Sequence, residues 1–367
     1  MKRLLKLLTL TLLSLLFAFS FVGCDDGNGG NGDKGLLCKK LTGEDFYTVY
    51  KYVDEGEGLT SLDIDAEAKA KYGADAVVGR INADSFSGND TLTEVIVPDT
   101  VTEISAGAFG KMRRLEKITL PFVGKTPVAD AYIGETDEAE NKSTEDARTF
   151  AYVFGTEEYD YGGKITVNYG SATKDFYIPA SLVEVTIAPK NDYKIPAYAF
   201  NGVNQINKIT MTDKVVEIGE YAFENALSIH SITVPASVTR IHKGAFKGTT
   251  NLKTVNLSGT NLAVIGDEAF MNSGVENVVL PIGVLGLGNK CFAGSSLVSI
   301  TFSQYLTQVG AYAFYNCSSL TTLNFHLAVG ANEITVQSAA FGLCEKLVVN
   351  AELKAHFNIV GINVFDN

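Results

Sequence analysis

The side chains best able to do chemistry in this sequence are four histidines (His230, His242, His326 and His356), five cysteines and a large set of carboxylates. A zinc site needs Cys or His at short fixed spacing, and a catalytic triad needs a nucleophile with a base and an orienting acid. None of the histidines has a cysteine or carboxylate at metal spacing, and the chain contains no Gly-rich phosphate loop and no nucleophile elbow. His230 falls just inside a candidate strand and His242 in a connecting segment, which suits solvent-facing polar positions. The stretch DDGNGGNGD from Asp25 offers clustered oxygens, as calcium requires, but it lacks the downstream bidentate Glu and the flanking helices of an EF-hand. The pattern points away from enzyme chemistry and calls for no metal or cofactor.

One cysteine stands apart. Cys24 follows MKRLLK, a basic start, then LLTLTLLSLLFAFSF, an apolar run of 15 residues, and a small Gly23. That order describes a secretory signal over residues 1–23, and the apolar run is short for a helix spanning a bilayer, which needs roughly 20 residues. Residues 24–35 are rich in Gly, Asn and Asp and read as a flexible tether. Signal, small residue, cysteine and tether together resemble the bacterial lipoprotein signal. The resemblance implies lipid attachment at Cys24, export and tethering to the bacterial membrane at the cell surface. Phe21 departs from the aliphatic residue usual three places before such a cysteine.

The elements that must position any site come from the bulk of the chain, which is 46% hydrophobic and 20% charged and can therefore bury a large core. The formal net charge is -12, and the first 23 residues hold three cations and no acid, so the remainder of the chain is more acidic still. An acidic surface repels phosphate backbones, which excludes nucleic acid as a partner in the absence of a basic stripe.

Self-similarity organises the rest. A small residue followed by Phe recurs at Phe86, Phe109, Phe200, Phe223, Phe246, Phe270, Phe292, Phe314 and Phe341, mostly 22–24 residues apart, with one gap of 91. Five or six positions after each Phe comes an apolar triplet such as Leu92/Val95/Val97, Leu115/Ile118/Leu120, Ile229/Ile232/Val234, Leu252/Val255/Leu257 or Leu320/Leu323/Phe325. Its last two members alternate with the period of a strand buried on one face. Proline then closes several strands, at Pro98, Pro121, Pro235 and Pro281, because it cannot donate to a ladder. A further apolar pair, such as Val101/Ile104 or Val238/Ile241, leads to the next Phe. No such unit can bury its apolar side alone, so the units must stack at the strand spacing of about 4.8 Å. Cys291 takes the small slot before Phe292, while Cys317 and Cys344 align with Met112, Val203, Ala226 and Thr249, three residues after Phe. All three read as compact core residues. Adjacent rungs lie close enough for a Cys317–Cys344 disulfide, which the sequence leaves open.

The phrases VTEISAGAFGKMRRLEKITLP, VVEIGEYAFENALSIHSITVP and VTRIHKGAFKGTTNLKTVNL resemble the BspA-like leucine-rich repeat family over roughly residues 76–350. The fold class so implied is a leucine-rich repeat solenoid, β-rich, with one parallel strand per 22–24-residue repeat and an inserted β-hairpin and loop region. BspA-like proteins include adhesins for host matrix proteins, so the resemblance implies a binding partner that is a protein or glycan of a host or neighbouring cell.

The period breaks between Leu120 and Leu182, an insertion of about residues 121–180. GETDEAENKSTEDAR within it reads as loop, and FAYVFG, GKITVNYG and KDFYIPASLVEVTI as β-rich, which predicts an inserted hairpin before the repeats resume. Residues 36–80 form an N-terminal capping region with candidate strands at Phe46 to Val53 and Leu59 to Ile64, the repeats run over 81–350, and residues 351–367 cap the other end.

If the triplet points inward, the residue between its last two members points out. Thr186, Thr210, Thr233, Asn256, Thr301 and Asn324 thus form an outward column of hydroxyls and amides. Thr favours strands and stacks on itself, which is a structural reason for the column. A long polar strip able to hydrogen-bond a macromolecule is the functional one. The oligomeric state is not legible.

Overall fold

The computed structural model describes residues 34–54, 56, 58–127, 146–170, 172–325 and 334–366. The signal, Cys24, His326 and most of GETDEAENKSTEDAR lie outside the described residues. Over those described, the chain winds as a parallel β-solenoid, and each turn supplies three segments around one continuous core: a triplet strand, a short return strand and a Phe-bearing turn.

The triplet strands pair in parallel with matched register. Leu62 stands beside Val95, Val95 beside Ile118, Ile118 beside Val185 and Val185 beside Ile209, all buried. The apolar pairs of the return segments form a second ladder. It runs as eight strands, from Tyr193–Ile195 to Phe357–Ile359, and carries Ile218, Ile241, Ile265, Leu287, Val309 and Val336 inward. The return ladder is thus the longer sheet, whereas the triplet strands are hydrogen-bonded in groups of five, two and three. The outward column is therefore carried on three short sheets and not on one uninterrupted strip.

The turns explain the Phe signature. Two positions per turn, two residues before and two after each Phe, adopt the left-handed backbone conformation, for example Tyr221 (φ 52) and Asn225 (φ 57) around Phe223. Those two reversals aim the ring inward. The Phe N–H then donates to the carbonyl of the small residue in the next turn: Phe223 to Ala245, Phe246 to Ala269, Phe270 to Cys291 and Phe314 to Ala340, each at 2.7 Å. The rings stack in a column, with Phe200, Phe223, Phe246, Phe270 and Phe292 separated by 5.0–5.2 Å and nearly parallel.

The gap of 91 in the Phe series is filled by residues whose spacing does not betray them. FAYVFG, expected as strand, forms a 3-10 turn at Phe150–Val153. Phe109 donates its N–H to Val153, and Phe150 donates to Ala199. Phe154 contacts Phe109 at 6.4 Å, Phe150 contacts Phe154 at 5.2 Å, and Phe150 stacks on Phe200 at 5.1 Å. A tight turn sets the two rings 5.2 Å apart on the core side, whereas an extended strand would hold residues separated by four about 13 Å from each other. The column therefore crosses the insertion unbroken. So does the triplet sheet, because Lys117–Leu120 pairs directly with Glu184–Ile187. Only the return ladder is interrupted, where Lys125 bridges between Ile104 and Ala147 through backbone hydrogen bonds of 2.8 and 2.7 Å.

The inserted hairpin is present, with Gly162–Asn168 antiparallel to Thr173–Pro179. Ile165, Val167, Phe176 and Ile178 bury one face of it. At the N-terminal end the strand Gly35–Lys40 starts on the last residue of the expected tether, because Leu36 and Leu37 are buried in an antiparallel pair with Tyr47–Val53. A helix at Ile64–Tyr72, capped by the Asp63 carboxylate on the N–H groups of Asp65 and Ala66, lies where the sequence pattern suggests no helix. At the other end residues 351–366 do more than cap. Phe357–Ile359 joins the return ladder and Phe365 stacks on Phe341, so the segment is one more turn of the repeat.

Candidate binding surface

The six outward positions lie where the alternation placed them. Thr210, Thr233, Asn256 and Asn324 are exposed and Thr186 and Thr301 half-buried, while their strand neighbours Val185, Ile209, Ile232, Val255 and Ile300 are buried. Thr186 stands opposite Thr210, Thr233 opposite Asn256, and Thr301 opposite Asn324. Part of their hydrogen-bonding capacity is used internally. Asn324 donates its amide to the Thr301 hydroxyl at 3.3 Å, and the Asn256 carboxamide oxygen accepts the Ser258 N–H at 3.0 Å. In the neighbouring outward column Lys208 pairs with Glu184, which faces Lys117 in register on its other side. Val279 interrupts the polar column with a side chain that is 63% exposed.

The insertion adds a different kind of surface. Tyr161, at the start of the hairpin, is 69% exposed, the most exposed aromatic among the described residues, and the Arg113 guanidinium sits 5.3 Å from its ring centre. Arg113 belongs to the turn after Phe109, so the pair joins repeat and insertion. Lys111 of the same turn binds Glu157 at 2.9 Å. Exposed Tyr and Arg held together on a folded edge are the residue types that dominate protein recognition. Sequence reasoning missed this pair because its members are separated by nearly fifty positions and neither belongs to the repeat pattern. Where the return ladder breaks, a groove of about 400 Å³ opens between Thr100, Thr102, Pro121, Pro189, Asp192 and Tyr193. Its floor is fixed by the Tyr193 hydroxyl, which accepts the Val123 N–H at 2.9 Å and whose acidity burial suppresses.

Several titratable groups elsewhere hold neighbouring turns together. His242 lies 2.7 Å from Glu217, which also binds Lys194 at 3.1 Å. Burial opposes the charged form of Glu217, but hydrogen bonds from His242 and Lys194 outweigh it and hold its carboxyl below the ordinary range. Lys247 bridges Glu224 and Glu268 of the flanking turns at 3.8 and 2.9 Å. His230 contacts the Ser228 carbonyl, and His356 stacks on Phe325 at 3.9 Å. Cys317 and Cys344 are both thiols, not a disulfide. Each donates to a Phe carbonyl one turn back, Phe292 and Phe314, at 3.1 Å. Burial pushes them up to about 11 and about 12, which keeps them protonated and unreactive. Among the described residues no three His, Cys, Asp or Glu side chains gather as a metal site, and no helix is long and apolar enough to cross a membrane.

Fold and surface together define a repeat solenoid that offers long side faces and one decorated edge, an architecture suited to binding. The profile of the BspA type leucine rich repeat region matches in six copies over residues 75–127, 172–295 and 263–367, and the chain belongs to that family. Among solved structures it is similar to a leucine-rich repeat protein from Bacteroides ovatus (18% identity, TM-score 0.39, covering 90% of this chain and 92% of that one). It is also similar to a leucine rich cell surface protein from Faecalibacterium prausnitzii (21% identity, TM-score 0.33, 90% and 94%). A third is the T. pallidum leucine rich repeat protein (14% identity, TM-score 0.31, 89% and 95%). At these scores the likenesses add nothing to the family assignment. No curated protein matches the chain.

Proposed function

We propose that this protein is exported, lipid-anchored through Cys24 and displayed at the bacterial surface, where it acts as an adhesin for a protein or glycan of a host or neighbouring cell. The observation that carries the binding reading is the Tyr161–Arg113 pair, an exposed aromatic held under a guanidinium where the hairpin meets the repeats. The leader and its cysteine support export, and the polar outward positions from Thr186 to Asn324, broken at Val279, supply secondary contacts. Contacts of this kind are distributed and centred on one anchor, which suits a macromolecule better than a small metabolite.

A capture lipoprotein for a glycan or peptide is the second reading. It is favoured by the groove beside Pro121 and Tyr193, which is large enough for a short peptide segment or a sugar.

Binding of the full chain to immobilised matrix proteins and glycans tests both. Deleting the whole insertion is uninformative, because it removes Phe150 from the core. Tyr161→Ala is the sharper variant. The adhesin reading expects saturable binding that weakens about tenfold or more in Tyr161→Ala, with an unchanged melting temperature. Binding indifferent to Tyr161 but lost in Asp192→Ala selects the groove, and no binding to any surface sinks the adhesin.

A further inference from the structure

The turn carrying Phe109 departs from its neighbours at both of its left-handed positions. Two residues before Phe, turns farther along place Tyr198, Tyr221, Glu268, Lys290 and Tyr312, whereas this turn places Gly107 (φ 71). Where glycine recurs at that position, as Gly244, the ring of Tyr221 occupies the space a side chain would take. At Gly107 the space stays open, since a Cβ there would meet only the Asp84 Oδ1, at 3.7 Å. Two residues after Phe the pattern inverts. Other turns use Asn225, Gly248, Asn272 and Asn316, the residue types that tolerate this conformation, and this turn uses Lys111 (φ 58). A residue held there against its preference costs free energy, and such costs gather at functional sites.

The vacancy is a pocket of about 200 Å³ on the seam between repeat and insertion. It lies beside the Lys111–Glu157 bridge, and Arg113 with its Tyr161 partner follows two residues along. The pocket is smaller than the roughly 300–1,000 Å³ that a drug-sized ligand fills, so it holds one ring or one side chain. The turn before supplies Asp84 and Ser87, the insertion supplies Thr156 and Glu157, and Lys111 comes from the turn between them.

We propose, building on the adhesin reading, that this pocket is a glycan-binding subsite that takes one neutral sugar ring, with the exposed Tyr161 ring carrying the next sugar of the chain. Mixed charge selects the class. A basic side chain would set a second cation beside Lys111, and a carboxylate or sulfate would face Asp84 and Glu157. Either brings like charges together. A neutral polyol offers hydroxyl donors to the two carboxylates and oxygen acceptors to the ammonium, while the hydroxyls of Ser87 and Thr156 serve both ways. The bare backbone at Gly107 lets a ring approach closely. The Tyr161 face is a flat apolar platform against which the C–H face of a sugar packs.

The test is binding of the full chain, in detergent so that the apolar leader does not itself associate. The surfaces are matrix glycoproteins before and after mild periodate oxidation, which cleaves vicinal diols, and neutral and sialylated glycans. Saturable binding to neutral glycans and native glycoproteins is expected, falling at least about tenfold after periodate. Gly107→Tyr restores the side chain of the neighbouring turns, and Asp84→Asn removes the charge while keeping a residue suited to that backbone. Each is expected to weaken binding about tenfold at an unchanged melting temperature. Binding that survives periodate yet falls in Tyr161→Ala keeps the adhesin and overturns the glycan. Binding confined to sialylated glycans overturns the neutral ligand. Loss on oxidation with no effect of either pocket variant places the sugar elsewhere and overturns the subsite. No binding to any surface removes the adhesin and the subsite together.

Discussion

The phenylalanine column and the outward column of threonines and asparagines repeat with the same period on the same coil, yet they tolerate change differently. Each ring in the column is fully buried and touches the ring before and after it, so its volume is specified by two neighbours as well as by its own turn. Each outward side chain has its register neighbours along the ladder but water rather than packed side chains above it, so its volume is barely specified. The difference shows in the residues themselves. The column is Phe in every regular turn, whereas the outward positions pass through Thr, Asn and, at Val279, an apolar residue. Periodicity alone does not separate a packing constraint from a propensity, but the strictness of residue type at each position does.

The contrast is broken most directly by truncating a ring. Phe246→Ala is expected to cost about 3–5 kcal/mol, read as a large fall in the denaturation midpoint, because the stack on both sides keeps the cavity open. A loss comparable to that of a surface substitution would mean the column does not carry the fold.

Backbone contact between turns comes second in size. Gly310 lies where an added Cβ would meet the Gly288 backbone at 2.7 Å. Gly310→Ala is expected to cost about 1–3 kcal/mol through the shift it forces, measured by the same denaturation. Stability equal to the parent would show that neighbouring turns can slide apart.

Charge between turns contributes less and depends on pH. The Glu217 carboxyl is held below its ordinary range, so its contribution is complete above the ordinary carboxylate pKa and is lost as pH falls through the lower folded value. Glu217→Gln is expected to flatten that acid limb of the stability profile and leave the neutral-pH fold in place. An acid limb identical to the parent would assign the pH dependence elsewhere. The smallest effect belongs to the outer face, where Thr254→Ala is expected to change stability by no more than about 0.5 kcal/mol. A cost approaching that of Phe246→Ala would reverse the inward and outward assignments.

The inward and outward faces were legible because strand alternation and a fixed repeat are local patterns. Triplets such as Leu252/Val255/Leu257 are buried as the alternation requires, and Cys291, Cys317 and Cys344 sit in the core. The hairpin at Gly162–Asn168 and Thr173–Pro179 was legible for the same reason. FAYVFG was not, since its aromatic content favours strand in isolation and only the vacancy between Phe109 and Phe200 makes a tight turn the better packing. The helix at Ile64–Tyr72 escaped notice because it has little apolar face, with only Ile64 and Ala68 buried. The Tyr161–Arg113 pair left no signal at all in the order of residues.

The sequence by itself determined the coil, its period, the inward and outward faces and the place of the insertion. These depend on residues close along the chain or repeated at constant spacing, and burial of a shared apolar edge allows them one arrangement. Tertiary structure alone decided that the ring column passes through the insertion, that the return ladder is the longer sheet, that the cysteines stay apart and that Tyr161 meets Arg113. Each of these depends on which distant segment fills a space left by another, and that is settled only when the turns pack.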